Sequence, residues 1–338
     1  MRKVLFIAFM ALIVSCVKHD TDSAPASKLK IVAEIDPSAV SKAVHDESRF
    51  DEGNTLGLFV YHSETERVES PATMTEFVLS GERYRNVLAV HSGEGDNSWM
   101  FQYEDALSSF EDMYLLIPSD QVSGLAILAY APYADDVLSI KEIPFTLGGR
   151  SEKMTDLMWA QPGENYKVVP DGSDQKVRLV FRHALSMLKI GFRTSDAKSV
   201  KKVTGITVRK KGGGDTPLLA SGKFDATDGS INNPAGVQNL KYDYSGESYK
   251  FGGSADSYVY VPVLICPQVY KTDGDYELIF EIDGEILDSS YKIRVSDVAG
   301  GFQPGMTYTL TFTIDDFVKF DGASVGNVWG ELGENENK

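Results

Sequence analysis

The sequence predicts an all-β protein built of β-sandwich domains, and three observations lead to that prediction. Short runs of residues alternate apolar with polar side chains, which is the pattern of a strand with one buried face. Glycine, proline, asparagine and aspartate separate these runs, as they do in turns between strands. Patterns with helical periodicity are scarce along the 338 residues. A chain of this length normally forms two domains, so we expect two sandwiches in tandem.

The predicted strands are defined by the alternate residues that share a face. The first strand covers residues 28–36, with Leu29, Ile31, Ala33 and Ile35 on one side. Later strands repeat this pattern with the alternating residues Val177, Leu179 and Phe181, then Leu278, Phe280 and Ile282, then Tyr308, Leu310, Phe312 and Ile314.

Two local signals refine the β prediction. Asp283 and Gly284 follow an alternating run, and an Asp-Gly pair in that place favours a type I′ hairpin turn. Pro262 interrupts the apolar run 258–265. Because proline cannot donate to a ladder, this run suits an edge strand or a bulge.

The N-terminus has the features of a lipoprotein signal peptide. Arg2 and Lys3 form a basic start, residues 4–14 are apolar, and Ser15 precedes Cys16. The apolar run is too short to span a membrane as a helix. A cysteine in this place can accept a lipid through its thiol, so Cys16 is the predicted lipidation site.

The chain is predicted to divide into four segments. Residues 1–15 are the signal peptide, and the polar residues 16–27 form a tether. An N-terminal sandwich follows at 28–172 and a C-terminal sandwich at 173–338. The break is placed within 161–176 because prolines and glycines cluster there.

Composition excludes several functional classes. The chain has 33 Lys and Arg against 49 Asp and Glu, for a net charge of −16, and therefore lacks the basic footprint of a nucleic-acid-binding protein. Its two cysteines, Cys16 and Cys266, cannot form a disulfide framework or a cysteine-rich metal site. We expect Cys266 to be a buried strand residue, and we expect no cofactor and no nucleic-acid partner.

No catalytic constellation is found, so the protein is predicted not to be an enzyme. Neither GxSxG nor HExxH occurs in the sequence. His183 is interpreted as a structural, hydrogen-bonded histidine rather than a general base. Asp225 and Asp228 flank a turn in the manner of a calcium loop, but the glutamate at the twelfth position is missing. A plain turn is favoured there, and a weak cation site stays open.

Several segments, in order along the chain, resemble the fimbrillin (Mfa-like, FimA-type) family of Bacteroidales surface lipoproteins. Beyond Cys16 and the first strand, these are residues 50–61 (FDEGNTLGLFVY), 129–133 (AYAPY), 155–160 (TDLMWA), 177–190 (VRLVFRHALSMLKI) and 302–310 (FQPGMTYTL), with Trp329 near the end.

The resemblance implies a fold, a location and a mode of assembly. The fold is two transthyretin-like β-sandwich domains, and the location is the outer-membrane surface, with the lipid as anchor. Family members are pilus subunits that polymerise with other subunits and mediate adhesion to host or bacterial surfaces. Their first strand is removed by proteolysis, and a strand of another subunit fills the groove.

Carried over to this sequence, the resemblance assigns roles to particular residues. Lys42 aligns with the arginine after which family members are cut, and Arg49 is the second candidate. The plug face that would leave the groove consists of Leu29, Ile31, Ala33 and Ile35. If neither basic residue is cut, the protein resembles an anchor or capping subunit. The choice among shaft, tip and anchor stays open.

The alternative function is that of a surface glycan-binding lipoprotein serving a polysaccharide uptake system. Such modules present exposed aromatic rings, and the chain has three tryptophans, Trp99, Trp159 and Trp329. Trp99 is the candidate platform, although a core role is favoured for it.

Overall fold

The computed structural model describes residues 26–36, 50–62, 75–76, 84–93, 99–102, 114–118, 125–150, 156–161, 167–168, 171, 173–196, 198–211, 217–252 and 257–326. In this part of the chain the regular structure is strand, apart from a four-residue 3-10 helix at Val295–Val298. The all-β prediction is therefore confirmed. The described residues contain no helix long and apolar enough to cross a membrane.

The strands are numbered in chain order through the described residues. The first twelve are β1 Ala26–Ile35, β2 Thr55–His62, β3 Thr75–Glu76, β4 Val87–His91, β5 Trp99–Gln102, β6 Leu115–Pro118, β7 Leu125–Ala131, β8 Ile143–Thr146, β9 Gly149–Arg150, β10 Met158–Gln161, β11 Lys167–Val168 and β12 Asp174–His183. Those that follow are β13 Ser186–Arg193, β14 Val200–Lys210, β15 Leu218–Asp225, β16 Ser230–Val237, β17 Asn239–Asp243, β18 Lys250–Gly252, β19 Val259–Ile265, β20 Gln268–Val269, β21 Tyr276–Ile282, β22 Glu285–Ile286, β23 Tyr291–Lys292, β24 Gly301–Phe302, β25 Thr307–Ile314 and β26 Val318–Gly326.

A ten-stranded sheet folds over on itself to form the first sandwich. Its order is β5-β4-β2-β7-β10-β12-β1-β6, with β3 paired to β2 and β11 to β7. The ring centroid of Phe50 lies 5.3 Å from that of Trp99 on β5 and 5.1 Å from that of Phe181 on β12. In a flat sheet, strands five positions apart would be separated by more than about 20 Å. The two halves of the sheet therefore face each other across one core, which we call the N-terminal core.

Two further sheets form the second sandwich. The four-stranded sheet has the order β19-β13-β25-β26, and the seven-stranded sheet has the order β22-β21-β14-β17-β9, with β18 on β14 and β23 on β21. The ring of Phe280 on β21 lies 5.1 Å from Phe192 on β13 and 5.0 Å from Phe312 on β25. Because these rings come from both sheets, the sheets pack face to face across a shared C-terminal core.

Several strands pair across the predicted boundary between the two domains. β8 joins β15 and β16 in a three-stranded sheet, and β9 pairs with β17. β12, which follows residue 172, lies inside the ten-stranded sheet. The division into 28–172 and 173–338 therefore stays a prediction, and strands from both segments share sheets.

The local signals in the sequence match the structure. Asp283 and Gly284 have φ angles of 53° and 86°, the positive values of the predicted hairpin turn between β21 and β22. Pro262 lies in β19, an edge strand of the four-stranded sheet, as predicted. The alternating residues of β25 are at most 1% exposed, which confirms the predicted buried face: Tyr308, Leu310, Phe312 and Ile314.

Candidate functional site

The candidate site is the place in the ten-stranded sheet that β1 fills. β1 runs parallel to β12 on one side and antiparallel to β6 on the other. Its register with β12 extends from Lys28 opposite Asp174 to Ile35 opposite Phe181. β1 is thus an internal strand although it is the first strand of the described chain. We call the space between β12 and β6 the β1 slot.

One face of β1 lies in the N-terminal core. Leu29, Ile31, Ala33 and Ile35 are 0%, 1%, 4% and 8% exposed and belong to one cluster of buried side chains. The cluster also contains the residues of β12 that alternate with the same period, Val177, Leu179 and Phe181. The predicted sharing of a face is therefore confirmed for all four β1 residues. Their role as releasable plugs stays a prediction.

Two ion pairs join β12 to the outward face of β1 and to Asp36, the residue directly after β1. Arg178 donates to Glu34 Oε2 from Nη2 at 2.6 Å and from Nε at 3.0 Å. Arg182 Nε donates to Asp36 Oδ2 at 2.7 Å. The hydrogen bond to Glu34 raises the pKa of Arg178 further above its ordinary value. At the other end of β1, Lys28 Nζ lies 5.7 Å from the ring centroid of Tyr114.

The segment that follows β1 begins and ends beside the same residue. The backbone N–H of Asp36 donates to the carbonyl oxygen of Phe181 at 2.8 Å, and the ring of Phe50 packs on the ring of Phe181. Residues 37–49 join these two points and lie outside the described residues, together with both candidate cleavage sites, Lys42 and Arg49. The predicted lipidation site, Cys16, also lies outside the described residues.

Trp99, the candidate platform for binding a sugar, does not lie at the surface. Trp99 is 1% exposed and its ring packs against Phe50 and against His91, whose centroid lies 5.0 Å away. The favoured core role of Trp99 is confirmed. Trp159 is half-buried, and a Cβ built at Gly229 would lie 2.5 Å from its Nε1. Trp329 lies outside the described residues.

Two other side chains weighed for chemistry have structural roles. Nδ1 of the buried His183 lies 2.8 Å from Asp156 Oδ2, which confirms the expected hydrogen-bonded histidine. Cys266 is fully buried, as predicted, although it comes one residue after the end of β19 and is not itself in a strand. Its burial raises the pKa of the thiol to about 12, so the reactive thiolate is scarce at neutral pH.

The carboxylates of Asp225 and Asp228 accept hydrogen bonds within the β15–β16 turn. Asp225 Oδ1 accepts from the backbone N–H of Thr227 at 2.9 Å and from its hydroxyl at 2.6 Å. Asp228 Oδ1 accepts from the backbone N–H of Ser230 at 2.8 Å. The described residues contain no group of three His, Cys, Asp or Glu that could hold a metal ion. This geometry fits the plain turn.

Sequence reasoning missed the two arginines opposite β1. The signal was present as charges on one face, with Glu34 on β1, Asp36 directly after it, and Arg178 and Arg182 on β12. The pairing depends on the parallel register of two strands that are far apart in the chain, since Glu34 and Arg178 are separated by 144 positions. Periodicity defines the faces of a strand but not its partner, so the ion pairs could not be predicted.

Comparisons with known proteins give one family match and a fold shared with solved structures. The model of the family described as fimbrillin-like matches residues 41–329. A comparison with curated proteins finds no match. Among solved structures, a protein from Bacteroides uniformis whose name proposes a cell adhesion role has a TM-score of 0.54 and 16% identity, covering 91% of this chain and 98% of its own. A similarly named protein from Bacteroides ovatus has a TM-score of 0.57 and 13% identity, with coverages of 90% and 98%. At these identities the structural similarity shows the fold.

Proposed function

The chain belongs to the fimbrillin-like family, and from this premise we propose that the protein is a fimbrial subunit, or a fimbria-associated anchor or tip adhesin, of a Gram-negative outer membrane. In this proposal it assembles by proteolysis-triggered donor-strand exchange and serves cell adhesion without enzymatic activity. Its partners are other fimbrial subunits, and its lipid at Cys16 attaches it to the cell surface.

The position of β1 is the observation that carries the proposal. β1 is an internal strand between β12 and β6, and its four core-facing residues are at most 8% exposed. If β1 leaves, the slot exposes apolar side chains and two rows of unpaired backbone groups. Such an edge recruits another strand, because ladder hydrogen bonds provide affinity and alternate side chains fill the vacated pockets.

The energetics of β1 favour its replacement by another strand over its release with the slot left empty. Burying a leucine or isoleucine side chain stabilises by about 1.5–3 kcal/mol. The three large residues of the buried face, Leu29, Ile31 and Ile35, therefore contribute about 5–9 kcal/mol, comparable with the stability of a whole domain. A strand held this firmly does not leave an empty slot at an appreciable rate, so a replacing strand is needed.

Residues 37–49 are the proposed point of control. Lys42 and Arg49 are candidate sites for a trypsin-like protease, and cutting at either one separates β1 from Phe50 and all that follows. A protein in which neither is cut would keep β1 in its slot and would remain an anchor or capping subunit.

The test is assembly after proteolysis of the acylated precursor. Treatment with a trypsin-like protease is expected to give a product that begins at residue 43 or residue 50 and forms ladders on unboiled gels. The matched control is the variant Lys42→Gln/Arg49→Gln, which should remain intact and monomeric. A truncated product that stays strictly monomeric contradicts the exchange mechanism.

The lipid anchor is tested separately from assembly. Labelled palmitate should be incorporated into the precursor and not into Cys16→Ala, which should no longer fractionate with the outer membrane. Equal labelling of both proteins contradicts the anchor.

A further inference from the structure

We propose that Arg178 and Arg182 select the strand that enters the β1 slot, so that the slot takes an extended segment of another subunit that runs parallel to β12 and carries two outward carboxylates, two residues apart, at its C-terminal end. This inference rests on the proposed function. It adds a chemical requirement on the partner strand that burial of apolar residues alone does not impose.

The two arginines are bound by β1 itself in the described structure. Arg178 makes two hydrogen bonds to Glu34 Oε2, at 2.6 and 3.0 Å, and Arg182 makes one to Asp36 Oδ2 at 2.7 Å. Both arginine side chains are about half exposed, at 53% and 49%. Removal of β1 takes away both carboxylates and leaves the two guanidinium groups accessible at one end of the slot.

The strand on the other side of β12 does not replace those carboxylates. In the antiparallel register of β10 with β12, Arg182 lies opposite Trp159 and Val180 lies opposite Gln161. None of the four residues of β10 is acidic. An entering strand with carboxylates at the positions of Glu34 and Asp36 therefore gains two charge-assisted hydrogen-bonded pairs that an uncharged strand does not form.

The apolar face alone cannot define the register of an entering strand. Side chains alternate with a period of two, so a slip by two residues keeps the apolar set facing the core. The same slip moves the strand by about 7 Å along the slot, so that one carboxylate takes the position of the other and only one of the two arginines keeps a partner. Alternating apolar runs are common in this chain, and β25 is one of them. Charge is the feature that distinguishes one register from the next.

Charge also defines the direction of the entering strand. The outward face of β12 begins with the acidic Asp174 and continues with the basic Lys176, Arg178 and Arg182. At the two ends of the outward face β1 has the complementary charges, with Lys28 opposite Asp174 and the acidic residues beside the arginines, while Lys30 lies opposite Lys176 between them. A strand with the opposite order of charges would place like charges next to each other, which is unfavourable across neighbouring strands.

The experiment measures which peptides enter the slot. The protein is produced without residues 1–16, with a recognition sequence for a site-specific protease in place of residues 38–45, so that every described residue is retained. After the cut, labelled peptides with the sequence of residues 26–36 (ASKLKIVAEID) are added in increasing concentration. Native mass spectrometry gives the concentration at which half of the protein carries the labelled peptide.

Three peptides are compared, and each of the two variant peptides differs from the native peptide in one property. The native peptide is compared with Glu34→Gln/Asp36→Asn, which keeps shape and hydrogen-bonding length but removes the charge. The third peptide, Ile31→Asp, places a charge on the core-facing side and should not enter the slot. We expect the half-saturating concentration of the neutral peptide to be about fivefold to thirtyfold higher than that of the native peptide. This difference should narrow at 1 M salt.

Variants of the slot assign this difference to the arginines. In Arg178→Gln/Arg182→Gln, the native and neutral peptides should half-saturate within about twofold of each other. In Arg178→Glu/Arg182→Glu, a peptide with Glu34→Lys/Asp36→Lys should bind more tightly than the native peptide. Both arginines are half exposed, so neither substitution removes core packing.

The outcomes separate this inference from the function on which it rests. If the native and neutral peptides half-saturate the unsubstituted slot at the same concentration, the arginines do not select the strand and the inference is wrong, while exchange itself stands. If no peptide enters, the native one included, strand exchange at this slot is contradicted and the inference falls with it.

Discussion

β1 and β13 have matching places in the two sandwiches. β1 is parallel to β12 and antiparallel to β6, and β13 is parallel to β25 and antiparallel to β19. Both are internal strands with buried apolar residues. They differ in the segments that adjoin them, since 13 residues separate Asp36, directly after β1, from Phe50, whereas Ala184 and Leu185 alone join β12 to the start of β13.

The connection before β13 is itself part of the core. Ala184 and Leu185 are fully buried, the backbone N–H of Ala184 donates to Leu157 O at 2.8 Å, and the backbone N–H of Gly305 donates to Leu185 O at 2.8 Å. β13 therefore cannot separate from its sheet without exposing Ala184 and Leu185 and breaking these two backbone hydrogen bonds. Strand pairing alone does not make a strand exchangeable, because the adjoining chain decides whether the strand can leave.

The largest expected effect comes from a charge placed on either strand. Ile31 on β1 is 1% exposed and Ile190 on β13 is fully buried. An unpaired buried carboxylate costs more than about 4 kcal/mol. We expect Ile190→Asp to unfold the C-terminal sandwich and Ile31→Asp to release β1 while the other sheets stay folded. Urea denaturation with limited proteolysis measures this, and identical loss of structure in both variants would remove the distinction.

A smaller effect tests how rigidly each sandwich is packed. A Cβ at Gly57 would overlap the ring of Tyr130, which is fully buried and donates to Asn86 Oδ1 at 2.8 Å. A Cβ at Gly191 would lie 2.8 Å from the ring of Tyr260, which is half-buried and can move outward. Overpacking costs about 1–3 kcal/mol. We expect the upper part of that range for Gly57→Ala and the lower part for Gly191→Ala, measured as the loss in unfolding free energy; the reverse order would contradict this difference in packing.

The pH dependence of the second sandwich is expected to depend on the buried carboxylate of Glu277. Although burial opposes it, hydrogen bonds from Lys211, Arg209 and Ser290 hold the pKa of Glu277 below its ordinary value. Such a group stabilises the fold above the pKa of the unfolded chain, about 4.3, and this contribution is lost as the pH falls through the lower folded value.

The variant Glu277→Gln isolates that contribution. It should be less stable than the unsubstituted protein at pH 7, and its urea midpoint should decline less steeply between about pH 5 and pH 3. Parallel curves for the two proteins would show that Glu277 does not cause the acid sensitivity.

The smallest expected effect concerns one exposed ion pair in each sandwich. In the uncut protein, Glu34→Gln should lower the unfolding free energy by about 0.2–1 kcal/mol, as exposed pairs do. The matched change on the second sandwich is Lys241→Gln, because Lys241 Nζ lies 3.2 Å from Glu281 Oε2 and the lysine side chain is 59% exposed. We expect a similar loss for both in urea titrations. A much larger loss for Glu34→Gln would mean that the pair holds β1 in place rather than selecting it.

The sequence predicted which face of a strand is buried better than it predicted which strands pair with each other. Alternation identified the buried sides of β1 and β25, and the Asp283-Gly284 pair identified a hairpin turn, because these features depend on neighbouring residues. The pairing of β1 with β12, and of β8 with β15, joins distant segments and leaves no periodic signal. Of the candidate site, the plug face could therefore be predicted and the arginines could not.

The segment from Asp36 to Phe50 also determines the effective concentration of β1 at its own slot. While the segment is intact, both of its ends stay beside Phe181, so β1 is presented to its own slot at an effective concentration on the order of millimolar. A cut within residues 37–49 changes no contact between β1 and the slot. It lowers that effective concentration to the actual concentration of the freed strand, and any strand supplied by a neighbouring subunit then competes on equal terms.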